Sequence, residues 1–71
     1  MKYRAIFIGG VADGQERVLP HCNRHISVRG EPQCVYHRRF AFGEPRTLVY
    51  SLYDTAETLN RLWHRYAGGD P

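Results

Sequence analysis

The two cysteines and two of the four histidines of this 71-residue chain form matched pairs, Cys22-x-x-His25 and Cys34-x-x-His37. Two thiolates and two imidazoles make a tetrahedral zinc set, and a structural zinc would support so small a core. The local context argues the other way. Cys34 and His37 fall in a stretch that reads as a β-strand, where residues three apart face opposite sides. Neither pair encloses the glycine that a tight knuckle turn would use. The expectation is no metal and no cofactor, with Cys34 buried and Cys22 in an exposed loop. Cys22, His25, Cys34 and His37 are the set a zinc would take if one were bound. A disulfide is not expected in a cytoplasmic chain. Nucleophilic catalysis would need a cysteine beside a histidine and an orienting acid. His21 and His25 flank Cys22, but so short a chain leaves little room for a substrate pocket. No catalytic residue, no small-molecule substrate and no enzymatic activity are expected.

The second chemistry is basic and aromatic. Ten Lys and Arg residues face seven Asp and Glu, for a formal charge of +3, and only Lys2 is a lysine. Asp13, Glu31, Glu44, Asp54 and Asp70 fall in expected turns, a cap or the tail, so the strand and helix faces should be more basic than the net charge suggests. Such faces suit nucleic acid or an acidic partner surface. A solvated basic surface with no partner is the plainer reading. Tyr36-His-Arg-Arg-Phe-Ala-Phe42 interleaves rings and guanidinium groups, the ingredients of a single-stranded nucleic-acid platform. The Lys/Arg-Gly-Phe pattern of RNA-recognition motifs is missing. Phe40 and Phe42 are instead expected to pack beneath a helix around Trp63. Arg4, Arg38, Arg39, Tyr53, Arg61, His64 and Arg65 are the expected partner-binding residues, since arginine and aromatic side chains dominate interface hot spots.

These residues must be positioned by a few elements. Cys34 to Leu52 reads as one long β-hairpin, broken at Gly43-Glu44-Pro45. Cys34, Tyr36, Arg38, Phe40 and Phe42 are expected on one face, and Val35, His37, Arg39 and Ala41 on the other. Leu48, Tyr50 and Leu52 should oppose Thr47, Val49, Ser51 and Tyr53. Lys2 to Ile8 reads as a first strand and Gln15 to Leu19 as its return, joined by a Gly-Gly-Val-Ala-Asp-Gly turn. His25 to Val28 is a further short strand. A C-terminal helix starts at Asp54, with Glu57 completing a capping box. Ala56, Leu59, Leu62, Trp63, Tyr66 and Ala67 recur on its apolar side, and Gly68-Gly69 ends it. Residues 1–67 form one domain and 68–71 a flexible tail. The predicted fold is α+β: a small twisted antiparallel sheet of four or five strands with the helix packed on one face. Its expected core is Ile6, Ile8, Val18, Val28, Phe40, Leu48, Tyr50, Leu59, Leu62, Trp63 and Tyr66. No apolar run approaches the ~20 residues of a membrane span. The short apolar run near the start is no secretory leader, so an intact cytoplasmic chain with no membrane partner is expected.

The opening Tyr3-Arg-Ala-Ile-Phe-Ile-Gly-Gly-Val-Ala-Asp-Gly14, with Tyr36-His-Arg-Arg39, resembles a broad set of small bacteriophage proteins. These share a short strand, a Gly-Gly-x-x-Asp-Gly turn, a second strand ending near a proline, and a later Tyr-x-Arg-Arg-like strand. The resemblance covers about a third of the chain and carries no catalytic residue and no Cys/His quartet. It implies a host-takeover protein that binds a host complex in the bacterial cytoplasm and inhibits or redirects it. RNA polymerase is slightly favoured over a host nuclease or a CRISPR defence complex. A nucleic-acid-binding regulator is the second expectation, and a zinc-stabilised adaptor the third.

Overall fold

The computed structural model describes residues 2–43 and 46–66. Glu44 and Pro45 of the expected hairpin turn, the side chain of Tyr66, Ala67, the Gly68-Gly69 stop and the 68–71 tail lie outside the described residues. The chain forms five strands and a helix: β1 (Tyr3–Ile8), β2 (Glu16–Leu19), β3 (His25–Val28), β4 (Cys34–Phe42), β5 (Thr47–Ser51) and α1 (Thr55–Tyr66). A single sheet runs in the order β2-β1-β5-β4-β3. The α+β class and the one C-terminal helix are as the sequence led us to expect.

Three of the four ladders are antiparallel, joining neighbours in sequence. The fourth is parallel: β1 inserts beside β5, with Ile6 opposite Val49 and Phe7 opposite Tyr50. Both strands are centre strands covered on two sides. Ala5, Ile6, Phe7 and Ile8 are all buried, as are Leu48, Val49, Tyr50 and Ser51. Nearly continuous apolar runs suit such a central parallel pair better than alternation does. The outer strands β2 and β3 are short and largely exposed, which limits edge-to-edge pairing with other chains.

One sheet face, here the inner face, carries an aromatic core. Phe7 meets Tyr36 edge-on at 5.1 Å and stacks on Tyr50 at 5.6 Å. Ala5, Val28, Cys34 and Leu48 fill around the rings. Two loops roof this face. Gly9 to Gly14 folds back as a 3₁₀ turn that places Ala12 in the core. The Tyr36 hydroxyl donates to the Gly9 carbonyl and accepts the Ala12 N–H at 2.9 Å. The Tyr50 hydroxyl donates to the Asn23 carbonyl in the second loop. Burial pushes the ionisation of both phenols up from the ordinary tyrosine value. Gly10 has φ of 64°, and a Cβ there would fall 2.8 Å from Cys34 Sγ. That close approach is open only to glycine.

The opposite face, the helix face, carries Ile6, Ile8, Val49 and Ser51. A register shift in β4 redirects the strand onto it. Arg38 lies opposite Tyr50 and Phe40 opposite Val49, so Arg39 is an extra residue in the ladder. This β-bulge inverts the alternation beyond it. Phe40 and Phe42 therefore leave the face of Cys34 and Tyr36 and join the helix face, contrary to the strict alternation expected.

The expected core is corrected at three further positions. Val18 is 67% exposed, Leu59 57% and Trp63 63%. Val18 lies on the helix face of edge strand β2, opposite Arg4, where no described element covers it. Leu59 and Trp63 are exposed because the helix meets the sheet on its polar side. Leu62 and Phe40 are only half-buried. Phe42, at 53% exposure, packs on Phe40 rather than under Trp63.

Candidate protein-binding surface

Helix α1 begins where Asp54 Oδ1 accepts the Glu57 N–H at 2.8 Å. Only this half of the capping box forms. The Glu57 carboxylate turns to Arg61 at 2.8 Å, one helical turn on. Thr58, Arg61 and Arg65 share one side of the helix by their spacing, and that side faces the protein. The buried Thr58 hydroxyl donates to Ser51 Oγ at 2.7 Å. The Arg61 guanidinium lies over the Tyr53 ring, 4.0 Å from its centroid. Arg65 pairs with Asp13 at 3.1 Å. The helix is thus tied to the end of the sheet by polar contacts, and its contacts with the strands are sparse.

These ties converge on the β1–β2 loop. The Asp13 carboxylate accepts the Gly9 N–H at 2.7 Å. That hydrogen bond, with the Arg65 guanidinium beside it, holds the Asp13 carboxyl below the usual carboxylate range. The Tyr53 ring rests on Gly9, where a Cβ would fall 2.6 Å from Cε2. Across the sheet, Arg39 Nε donates to the Tyr53 carbonyl at 2.7 Å. The bulge that places Arg39 outside the alternation therefore aims it at the start of the helix.

The seven expected partner-binding residues accordingly divide. Arg39, Tyr53, Arg61 and Arg65 form one connected unit that fixes the helix. His64 is exposed on the same helix. Arg4 stands apart in a pair with Glu16 at 2.7 Å. Arg38 lies on the inner face, donating to the Cys22 carbonyl. No single basic face results, because most of these guanidinium groups are engaged by an acceptor of the protein itself.

The apolar flank of the helix is the part that residue types alone assigned to the core. Leu59 and Trp63 lie one turn apart and are both open to solvent. Isolated exposed apolar residues are ordinary, but a Trp and a Leu one turn apart on a tethered helix make a paired apolar exposure. Arg61 and His64 border this flank in sequence. The signal available was the polar line Thr58, Arg61, Arg65. Its three residues each needed a named acceptor or ring: Ser51 and Tyr53 lie just before the helix, and Asp13 comes from the distant first loop.

The Cys/His quartet is not assembled. His25 and His37 pair across β3 and β4 with rings 4.8 Å apart. Cys34 is buried on the inner face, and Cys22 is exposed in a loop. Among the described residues, no group of three or more His, Cys, Asp or Glu converges on a metal-sized position. Tyr36, proposed as a stacking residue for nucleic acid, is fully buried. No described helix is long and apolar enough to cross a membrane. No protein-family model, curated protein or solved structure matches the chain.

Proposed function

We propose that this chain is a non-enzymatic binding domain that docks on a larger protein through the exposed flank of α1. The observation that carries this reading is the solvent-exposed Leu59–Trp63 pair on a helix held by three separate side-chain ties. A preformed helix presenting a large aromatic anchor loses little entropy on docking. Tryptophan is among the residues most enriched at hot spots, and arginine at the rim supplies directional contacts. A specific interface needs ~800 Å² per partner, and the chain exposes 4860 Å² in all.

The resemblance of the opening segment to small phage proteins makes the partner a host assembly in the bacterial cytoplasm, and the outcome inhibition or redirection. RNA polymerase remains favoured over a nuclease or a CRISPR complex. The test is capture of partners from nuclease-treated bacterial lysate, followed by transcription with purified RNA polymerase in the presence of the chain. Dose-dependent inhibition that the Trp63→Ala variant lacks supports the reading. Inhibition by both proteins alike removes the helix flank from it.

A further inference from the structure

A second candidate site lies on the inner face, near the start of β1 and away from the helix. An open cleft of 540 Å³ is lined by Tyr3, Cys22, Arg38, Ala41, Arg46 and Leu48, among others. Its size falls within the range of ligand-binding clefts. No carboxylate is among the described lining residues, whereas two guanidinium groups are. The Arg46 guanidinium lies over the Tyr3 ring, 5.9 Å from its centroid. Its backbone carbonyl, not its side chain, holds the neighbouring strand by accepting the Arg4 N–H at 2.9 Å. The Arg38 guanidinium uses one N–H on the Cys22 carbonyl, and the fork of an arginine carries further donors. Leu48 and Ala41 supply an apolar floor.

We propose that this cleft binds one nucleotide unit of a single-stranded nucleic acid. The base stacks against the flat Arg46–Tyr3 pair, and its phosphate takes the spare donors of Arg38. Bases stack on aromatic rings and on guanidinium planes alike, and the contact tolerates any base. This site is separate from the docking helix and uses Tyr3 and Arg46, which lie outside the aromatic-basic stretch Tyr36 to Phe42. The two arginines, with no carboxylate among the described lining residues, select for an anion. The planar cation beside an apolar floor selects for one attached to a flat ring.

The test is a titration of the intact ¹⁵N-labelled chain with a single-stranded oligothymidylate of about eight nucleotides, the size of an ordinary single-strand site. Saturable shifts centred on the amides of Tyr3, Leu48 and Arg46 are expected. Arg46→Gln and Tyr3→Leu, the latter keeping apolar contact with the core, should each weaken binding about fivefold or more. Arg46→Gln should also flatten the salt dependence, by about 0.7 in log–log slope if Arg46 neutralises one phosphate. Trp63→Ala should bind the strand like the wild type, so this result stands or falls apart from the docking proposal. The proposal is overturned if no saturable binding occurs or if the two cleft variants bind unchanged. It is equally overturned if duplex, a mononucleotide or an acidic peptide of equal charge binds as well as the single strand.

Discussion

The Arg61 guanidinium lies over the ring of Tyr53 at 4.0 Å, and the Cε2–Cζ edge of the ring rests against Gly9. One aromatic side chain is thereby held by both the helix and the first loop. Gly9 has φ of 89°, a conformation that strains any residue with a Cβ, and a Cβ would also collide with the ring. This arrangement is the main reason that arginine on this helix is structural rather than free. Arg61→Ala removes the cation over the ring and the partner of Glu57. A partly exposed cation–π contact is worth about 0.5–2 kcal/mol, and the ion pair adds a few tenths at most. Urea unfolding should show a loss of about that size for Arg61→Ala and a smaller one for Arg61→Lys.

Tyr36 joins two loop groups that have no other hydrogen-bond acceptor or donor among the contacts described, the Ala12 N–H and the Gly9 carbonyl. Tyr36→Phe keeps the ring and leaves both groups buried without a partner. The expected cost is about 1–3 kcal/mol, read as a lower urea midpoint with an unchanged slope. The phenol itself gives a second readout. Its ionisation is raised in the folded state, as is that of Tyr50. Stability from this source is complete below the unfolded tyrosine value near pH 10 and falls as pH rises from there towards the folded values. In a spectroscopic alkaline titration, Tyr36 and Tyr50 should ionise above the ordinary tyrosine value and together with unfolding.

Asp13 gives the opposite sign. Its carboxyl is held low by the Gly9 N–H and Arg65. The stability it contributes is complete above the ordinary carboxylate value and is lost as pH falls through its lower folded value. Because the pair with Arg65 is partly exposed, solvent screens it and the effect is modest. Asp13→Asn should be less stable than wild type at neutral pH, and the gap should close below pH ~4. Parallel acid-unfolding curves for the two proteins would contradict the assignment.

The strands, their order along the chain and the capped helix were legible because each has a local cause. Alternating β-branched and aromatic residues mark β4 and β5, glycine marks the turns, and Asp54 marks the helix start. The parallel β1–β5 contact was not legible, since it joins segments some forty residues apart and depends on which central strands bury both faces. The bulge at Arg39 carries no glycine or proline to announce it. It moved Phe40 and Phe42 to the other face of the sheet. The candidate site was half legible. Tyr53, Arg61, His64 and Arg65 were marked by residue type and lie at or beside the helix. The side the helix turns inward depends on Ser51, Asp13 and Gly9, which no helical periodicity reports. An apolar stripe was therefore read as core when its middle, Leu59 and Trp63, lies in solvent.

Binding through the helix flank is tested most directly by Leu59→Ala with Trp63→Ala in one chain. Both side chains are mainly exposed, so stability should change by no more than about 0.5 kcal/mol per site. Tagged wild-type and double-variant chains are exposed to the same nuclease-treated bacterial lysate, and the recovered proteins are quantified. The docking proposal requires a stoichiometric complex with the wild type that is lost, or weakened at least about tenfold, with the variant. Equal recovery of that complex by both chains, with both folded to the same urea midpoint, would contradict it.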